Sequence, residues 1–312
     1  MGKLKNLATW KKTLLFILTI IILFIGGSFF YINNLLNKVT KVDIKKENLS
    51  VNEEVSKKLD ENNEIRNIAL FGIDSPEGKN GRSDSIMILT IDEKNDELKL
   101  SSIMRDSYVN IPGHGKDKIT HAYAFGGPEL AISTLNKNFN LNIEDFITVN
   151  LSTLPKIIDS IGGINLEITN GDLKYLNNYI DGNSSNIKTP GNHHLDGVQA
   201  TAYARIRYDG GDQGRTQRHR NIINGIFEKM LSISPTKYPS ILNDTLPLVQ
   251  TNISSSEFIP IGTDILSLGT SDILEYRVPC DKHSKGINLN NIYYMNFNIE
   301  DEIKELHNFI YK

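Results

Sequence analysis

The sequence predicts an α/β fold: a single domain with a central mixed β-sheet covered by helices on both faces, preceded by one transmembrane helix. Three observations carry that prediction. Apolar, β-branched runs at 65–73, 85–91 and 97–104 read as buried strands, the last two joined by the polar hairpin loop Asp92-Glu93-Lys94-Asn95-Asp96. From Gly126 onward strand-like and helical segments alternate, the pattern that lays helices over a sheet containing parallel pairs. Finally, Thr13 to Asn37 contains no charged side chain and Leu14 to Ile32 is almost wholly apolar, about the length that spans a hydrocarbon core of roughly 30 Å.

The elements follow in order. Lys3, Lys5, Lys11 and Lys12 precede the apolar run and orient it with the N-terminus in the cytoplasm. A secretory leader would be shorter and end in a small-residue cleavage site, whereas Gly26-Gly27-Ser28 runs into Phe29-Phe30-Tyr31, so an uncleaved signal anchor is expected. The organisation is then a cytoplasmic tail (1–12), a transmembrane anchor (13–36), a linker (37–64) whose Lys, Glu and Asn content suits a solvated spacer, and an extracytoplasmic domain (65–312). Within the domain, Gly126-Gly127-Pro128 opens a helix to about Asn138, with Pro128 suited to its first turn. A strand at 146–150, a short helix at 152–161 ended by Gly162-Gly163 and a strand at 164–168 come next. The polar run 169–191 reads as a long loop with a helical turn near 173–179. Asp196 to Ala204 and Arg215 to Leu231 read as helices, the second with Ile222, Ile223, Ile226, Phe227 and Met230 on one face. A strand at 274–279 and an amphipathic helix at 299–310 complete the chain.

Charge narrows the function classes. The net charge is −3, and setting aside the four lysines before the apolar run leaves −7 on the remainder. An acidic domain does not bind nucleic acid through its general field. Its arginines are nevertheless concentrated, five of the nine in the chain lying between Arg205 and Arg220. Guanidinium groups grip phosphate or carboxylate oxygens two bonds at a time, so this density points to a multiply anionic ligand. Most charge runs are solvated helix faces. Here, however, Arg205 and Arg207 alternate as in an extended segment while Arg215 and Arg218 sit one helical turn apart near a helix start, so two elements converge on one region. The single cysteine, Cys280, cannot form an intramolecular disulfide and, with no second cysteine or histidine pair nearby, reads as small apolar packing.

Two further stretches carry chemistry. Phe71-Gly72-Ile73-Asp74 is an apolar strand ending in Gly-x-Asp, and Arg82-Ser83-Asp84 precedes the next strand. Carboxylates at the mouths of adjacent strands can share a hard divalent cation such as Mg²⁺ or Mn²⁺, although an Asp in a loop is more often a turn-former or cap. Arg105, in Met104-Arg105-Asp106, lies at a strand end that can face the same crevice, or it pairs with Asp106 on the surface. Lys118 with Ala122-Tyr123 is either a solvated lysine beside a buried tyrosine or part of that crevice.

Taken together these pieces resemble one family. Leu70-Phe71-Gly72-Ile73-Asp74, Arg82-Ser83-Asp84, Met104-Arg105-Asp106, Ile111-Pro112-Gly113, Lys118-Ile119, Ile161-Gly162-Gly163-Ile164, Leu195-Asp196-Gly197, Tyr203-Ala204-Arg205-Ile206-Arg207, and Asp212 with Gly214-Arg215 and Arg218 are similar, in that order, to the LytR-CpsA-Psr family of wall-glycopolymer ligases. The resemblance covers about Ile65 to Met230. It implies a phosphotransferase that moves a glycopolymer from an undecaprenyl-pyrophosphate carrier to peptidoglycan at the membrane, releasing the lipid monophosphate, with no nucleic-acid partner. It further implies that Asp74 and Asp84 hold Mg²⁺ (or Mn²⁺), that Arg105, Arg205, Arg207 and Arg215 bind the pyrophosphate oxygens, and that Arg82, Lys118, Tyr203, Arg218 and His219 lie close by. Asp74, Asp84 and Arg105 are the residues expected to be catalytic. The chain departs from the family at His219, where glutamine is common, and at Gln213, where an aromatic residue is common. A histidine there is expected to donate to phosphate and to make binding pH-sensitive near neutrality. Other classes compatible with the residues are a non-catalytic polyprenyl-phosphate carrier, a pyrophosphatase and, against the acidic charge and the topology, a transcriptional regulator.

Overall fold

The computed structural model describes residues 31–60, 65–75, 80–182, 184–208, 210–268 and 272–312. The expected cytoplasmic tail and most of the expected transmembrane anchor lie outside the described residues, among which no helix is long and apolar enough to cross a membrane. In chain order the elements are β1 (Thr40–Lys41), α1 (Glu53–Asp60), β2 (Ile65–Asp74), β3 (Arg82–Asp92), β4 (Glu97–Ile103), β5 (Tyr108–Ile111), β6 (Gly115–Lys118), α2 (Thr120–Phe139), β7 (Asp145–Asn150), α3 (Leu154–Ser160), β8 (Ile164–Ile168), α4 (Asn170–Leu176), β9 (Gly191–Leu195), α5 (Gly197–Arg205), α6 (Gly211–Ser232), α7 (Tyr238–Thr245), β10 (Val249–Thr251), α8 (Ser255–Ser267), β11 (Ile273–Val278), β12 (Ser284–Leu289), β13 (Ile292–Phe297) and α9 (Ile299–Tyr311).

Seven strands form one sheet in the order β1-β10-β7-β2-β3-β4-β11. β2 is antiparallel to β3 and parallel to β7, and β4 is antiparallel to β3 and parallel to β11, so the sheet is mixed as expected. Because successive side chains of a strand point to opposite faces, β2 feeds two cores. Ala69, Phe71 and Ile73 pack with Leu135 and Phe139 of α2 and Leu306 of α9. Ile68 and Leu70 pack on the other face with Phe258 and Ile261 of α8. A third cluster, built on Ile158, Ile164, Leu195, Tyr203 and Ile222, joins the β8–β9 hairpin to α3, α5 and α6 beside the sheet.

Several boundaries differ from the sequence expectation for local reasons. Helix α2 starts at Thr120 and is kinked at Gly126 and Gly127, where Gly127 takes φ +63, a left-handed value that only glycine adopts without strain; Pro128 then opens the second straight part. Helix α6 starts at Gly211 and not at Arg215, because Gly210 at φ +72 turns the chain into it. The run 169–191 is more ordered than a loop: Thr169 and Asp172 form a reciprocal cap at the start of α4, and the run ends in β9. The β12–β13 hairpin had no clear sequence signal.

The expected solvated spacer is corrected by packing. β1 extends the sheet by pairing parallel to β10, and Leu49 is 0% exposed within the main core. Leu35, Leu36 and Val39 pack against Leu246. Scattered apolar residues in a polar run are enough for this, since fully burying one leucine contributes about 1.5–3 kcal/mol. Leu49→Ala is therefore expected to lower the stability of the purified chain by about 2–4 kcal/mol in denaturant titration; a change within experimental error would restore the spacer reading.

Candidate functional site

The site forms where β2 and β3 separate. Their register pairs Gly72 with Ser85 but Ile73 with Ser83, so Asp84 is the extra residue of a β-bulge. A bulge re-aims the side chain it carries, and here it turns Asp84 toward the strand mouth where Asp74 ends β2. The strands approach so closely at this point that a Cβ on Gly72 would lie 2.9 Å from that of Ser85. Asp74 and Asp84 line a polar pocket of about 260 Å³ together with Arg205, Arg207, Arg215 and His219.

The arginines arrive on three elements. Arg105 follows β4, and its Nη1 lies 2.6 Å from Asp84 Oδ1 while its Nε lies 3.3 Å from Asp212 Oδ1. Arg205 closes α5, and Arg207 follows Ile206, which is buried and fixes the alternation that sends both arginines outward at 45% and 61% exposure. Arg207 Nη2 stands 4.0 Å from Asp84 Oδ2. Arg215 extends from the second turn of α6 and pairs with Asp212 one turn earlier. Lys118, at the end of β6, holds Asp106 Oδ1 at 2.7 Å. Beside the first pocket, Arg105, Asp106, Arg207, Asp212, Arg215 and Tyr293 line a second polar recess of about 320 Å³.

The electrostatics are those of a dense, partly dry ion network. Burial opposes charge on Arg105, but Asp84, Asp212 and Asp106 more than offset it and hold its proton more firmly than usual. Burial raises the Asp212 carboxyl above the ordinary carboxylate range, against the pull of Arg215 and Arg105. Burial lowers the Arg215 pKa so that it holds its proton less firmly, yet a guanidinium stays cationic and the pair with Asp212 persists. Among the described residues, Arg105 Nε, Arg215 Nε and Asp212 Oδ2 are buried without a hydrogen-bond partner. They are enclosed within the ion network itself, where Arg105 Nε keeps only its ion contacts with Asp212 and Asp106.

An apolar cavity of about 220 Å³ runs beneath the charged pocket, lined by Leu70, Ile147, Val149, Ile157, Ile222 and Ile226 among others. It shares Leu151, Ala204 and His219 with the polar pocket, so the two spaces adjoin. Part of the apolar face read on α6 therefore lines a cavity as well as closing a core. His219 sits at the junction, with Nε2 3.2 Å from the carbonyl oxygen of Ala204. A carbonyl only accepts, so Nε2 carries the hydrogen and Nδ1 of the neutral ring has none to donate. Burial, aided by Arg215, lowers the His219 pKa from 6.5 to about 4. The expected donation to phosphate and the expected titration near neutrality are both corrected by this environment.

Of the sequence-predicted residues, Asp74, Asp84, Arg105, Arg205, Arg207, Arg215 and His219 line the adjoining recesses, with Lys118 one contact behind them on Asp106. Tyr203 and Arg218 are not brought to the pocket. Arg218 is buried on Asp172 at 2.6 Å, with both side chains 5% exposed, and donates to the Ile206 carbonyl; Tyr203 accepts from Asn221 beneath the same segment. They hold the Arg205–Arg207 segment at the end of α5 from behind. Arg82 is exposed at the start of β3, opposite Asp74 in register, and lines none of the three spaces. Sequence reasoning missed Tyr179, from a 3-10 turn after α4, Tyr208, directly after Arg207, and Tyr293 of β13, which line the polar recesses. Asp74 and Asp84 offer only oxygen donors, and such a pair, completed by water and phosphate oxygens, suits Mg²⁺ or Mn²⁺.

Comparison with known proteins places this geometry. A polyisoprenyl-teichoic acid–peptidoglycan teichoic acid transferase, TagU, of Bacillus cereus (strain AH820) is 37% identical over 260 residues, spanning 79% of this chain and 81% of the relative. The structure of TagT bound to LIIa-WTA superposes with a TM-score of 0.67 at 26% identity, over 79% of this chain and 91% of that one. TagT with bound octaprenyl pyrophosphate lipid superposes with a TM-score of 0.63 at 25% identity, over 79% and 90%. The LytR_cpsA_psr family matches residues 29–309, and this chain belongs to it.

Proposed function

We propose that the protein transfers a glycopolymer, of the teichoic acid class, from a polyprenyl-pyrophosphate carrier to a hydroxyl of peptidoglycan. The observation that carries this reading is the junction of an apolar cavity with an arginine- and aspartate-lined pocket at Leu151, Ala204 and His219. A ligand that fills both must be a long apolar chain ending in several negative charges. The TagU relative, a polyisoprenyl-teichoic acid–peptidoglycan teichoic acid transferase, and the octaprenyl pyrophosphate in the TagT structure support the same chemistry.

The residues divide the work by position. The prenyl chain lies between β2, β7 and α6, and its pyrophosphate emerges among Arg205, Arg207 and Arg215. The acceptor hydroxyl attacks the phosphorus that carries the glycopolymer; a new P–O bond forms, the bridging P–O bond breaks, and the lipid monophosphate leaves, taking up the hydroxyl proton. Charge on the equatorial and leaving oxygens is what the arginines absorb, and their prior arrangement by Asp84 and Asp212 spares reorganisation at the moment of reaction. Asp74 and Asp84 would hold a magnesium ion, which would supply further neutralisation of the pyrophosphate charge. Arg105 bridges the two recesses, touching Asp84 in one and Asp212 in the other, and is placed to follow the charge as it moves. Membrane anchoring through residues 13–36, with the domain outside the cell, puts the cavity within reach of a carrier lipid.

In a reconstituted assay with a lipid-pyrophosphate donor, Arg105→Ala is expected to cut transfer by about 10²–10³-fold. Asp74→Ala, Asp84→Ala and chelation of divalent metal are each expected to abolish it; undiminished transfer in all of these would overturn the assignment. Omitting the peptidoglycan acceptor separates transfer from simple pyrophosphate hydrolysis. Ile226→Trp, which fills the apolar cavity without touching a charge, is expected to weaken long-chain prenyl donors strongly while sparing inorganic pyrophosphate binding. Equal loss for both ligands would place the lipid elsewhere.

His219 makes a separate prediction through stability. Its folded pKa of about 4 lies below the ordinary 6.5. As pH falls through that window the unfolded chain takes up a proton that the folded chain refuses, so stability is lost toward acid. His219→Gln is expected to flatten the decline in melting temperature between those two pH values; an unchanged decline would show that His219 is not held neutral.

A further inference from the structure

We propose that Cys280, His283 and Glu302 form a zinc-binding site, with the fourth position of a tetrahedral ion left to water. The three donor atoms lie within 4.8 Å of one another. Cys280 Sγ is 3.5 Å from His283 Nδ1, and the same Nδ1 is 3.1 Å from Glu302 Oε1. Sulfur, nitrogen and oxygen ligands at about 2.0–2.3 Å from a tetrahedral zinc ion are roughly 3.3–3.6 Å apart; the Sγ–Nδ1 and Nδ1–Oε1 distances are close to that, and the sulfur and carboxylate, within 4.8 Å, need only draw together on an ion.

The competing reading of such a trio is a nucleophilic cysteine activated by a histidine and oriented by a carboxylate. That arrangement uses both ring nitrogens, one toward the thiol and the other toward the carboxylate. Here sulfur and carboxylate both face Nδ1, so the donors converge on a common point and do not form a relay. Charge points the same way. Glu302 is fully buried, and its Oε1 accepts from the Cys280 backbone N–H at 3.0 Å. A buried carboxylate needs compensation, and a dication held by one thiolate and one carboxylate is neutral overall. The mixture of sulfur, imidazole and carboxylate selects zinc over magnesium or calcium, so this site is distinct in donor chemistry from Asp74 and Asp84. Because Cys280 is the only cysteine, no intramolecular disulfide competes for its sulfur. Its sequence reading as apolar packing overlooked His283 close by and Glu302 across a hairpin.

The position suggests what the ion holds together. Cys280 and His283 belong to the turn that follows β11, and Glu302 lies in the first turn of α9. Between the two ligands, Asp281 accepts from Gln213 in the first turn of α6 at 2.9 Å and pairs with Arg277 at 2.6 Å. Gln213 neighbours Asp212, so the ion would clamp the C-terminal helix to a turn that abuts the polar recess.

The test uses the full chain purified in detergent and stripped of metal, titrated with Co²⁺ as a spectroscopic substitute. The expected result is a thiolate-to-cobalt charge-transfer band in the near ultraviolet that saturates at one ion per chain, is displaced by Zn²⁺, and accompanies a rise in melting temperature. Cys280→Ser and His283→Gln are each expected to remove the band, whereas the double variant Asp74→Asn/Asp84→Asn keeps it. The proposal is overturned if the wild-type chain shows no such band, or if the band survives His283→Gln in a variant whose melting transition shows it folded.

Discussion

Several guanidinium groups cannot be gathered around one recess without anions between them, and the structure depends on how that repulsion is met. Asp84 and Asp212 stand between Arg105, Arg207 and Arg215, so each carboxylate serves more than one arginine. Burial raises the Asp212 carboxyl and opposes the charge on Arg215, which shows that the network is held at some electrostatic cost. A charged network with buried, unpartnered polar atoms is a poor device for stability but suits a polyanion, since Arg205 and Arg207 stand exposed at the pocket before the ligand arrives.

The fold supplies each member of this network from a different element. The bulge at Asp84, the end of β4 at Arg105, the extended segment after α5 and the second turn of α6 meet because α6 lies over the sheet face that carries Leu70 and Ile147. The same junction leaves the apolar cavity, since Leu70 and Ile147 of the sheet and Ile222 and Ile226 of α6 face one another across it. Charge and hydrophobicity are thus separated by one layer, with neutral His219 at the boundary. A neutral side chain is the suitable occupant there, because a cation at the cavity mouth would need its own counter-ion.

Much of this was legible in the sequence where a period or a density carries the signal. Apolar, β-branched runs identified β2, β3 and β4, and the alternation of Arg205-Ile206-Arg207 was legible because Ile206 is buried and its neighbours face out. The helical stripe Ile222, Ile223 and Ile226 was readable as a face, but not as the wall of a cavity, because periodicity reports which side is apolar and not what fills the space opposite. Tyr203 and Arg218 show the limit of a motif. They keep their places in the family pattern while turning inward to Asp172 and Asn221, whose positions depend on the lobe beyond them. The segment 37–60 was misread because its composition is polar, although a few residues such as Leu49 decide where it packs. Cys280, His283 and Glu302 were invisible as a group, since the β12–β13 hairpin that separates them in sequence returns the chain to the same point.

The central claim is that one ligand spans the apolar cavity and the arginine pocket. The most direct measurement is the crystal structure of the protein with a polyprenyl pyrophosphate and magnesium. The account predicts prenyl density between Ile157 and Ile226 and the two phosphates against Arg205, Arg207 and Arg215. Lipid density lying outside that cavity, or phosphates remote from those arginines, would contradict it.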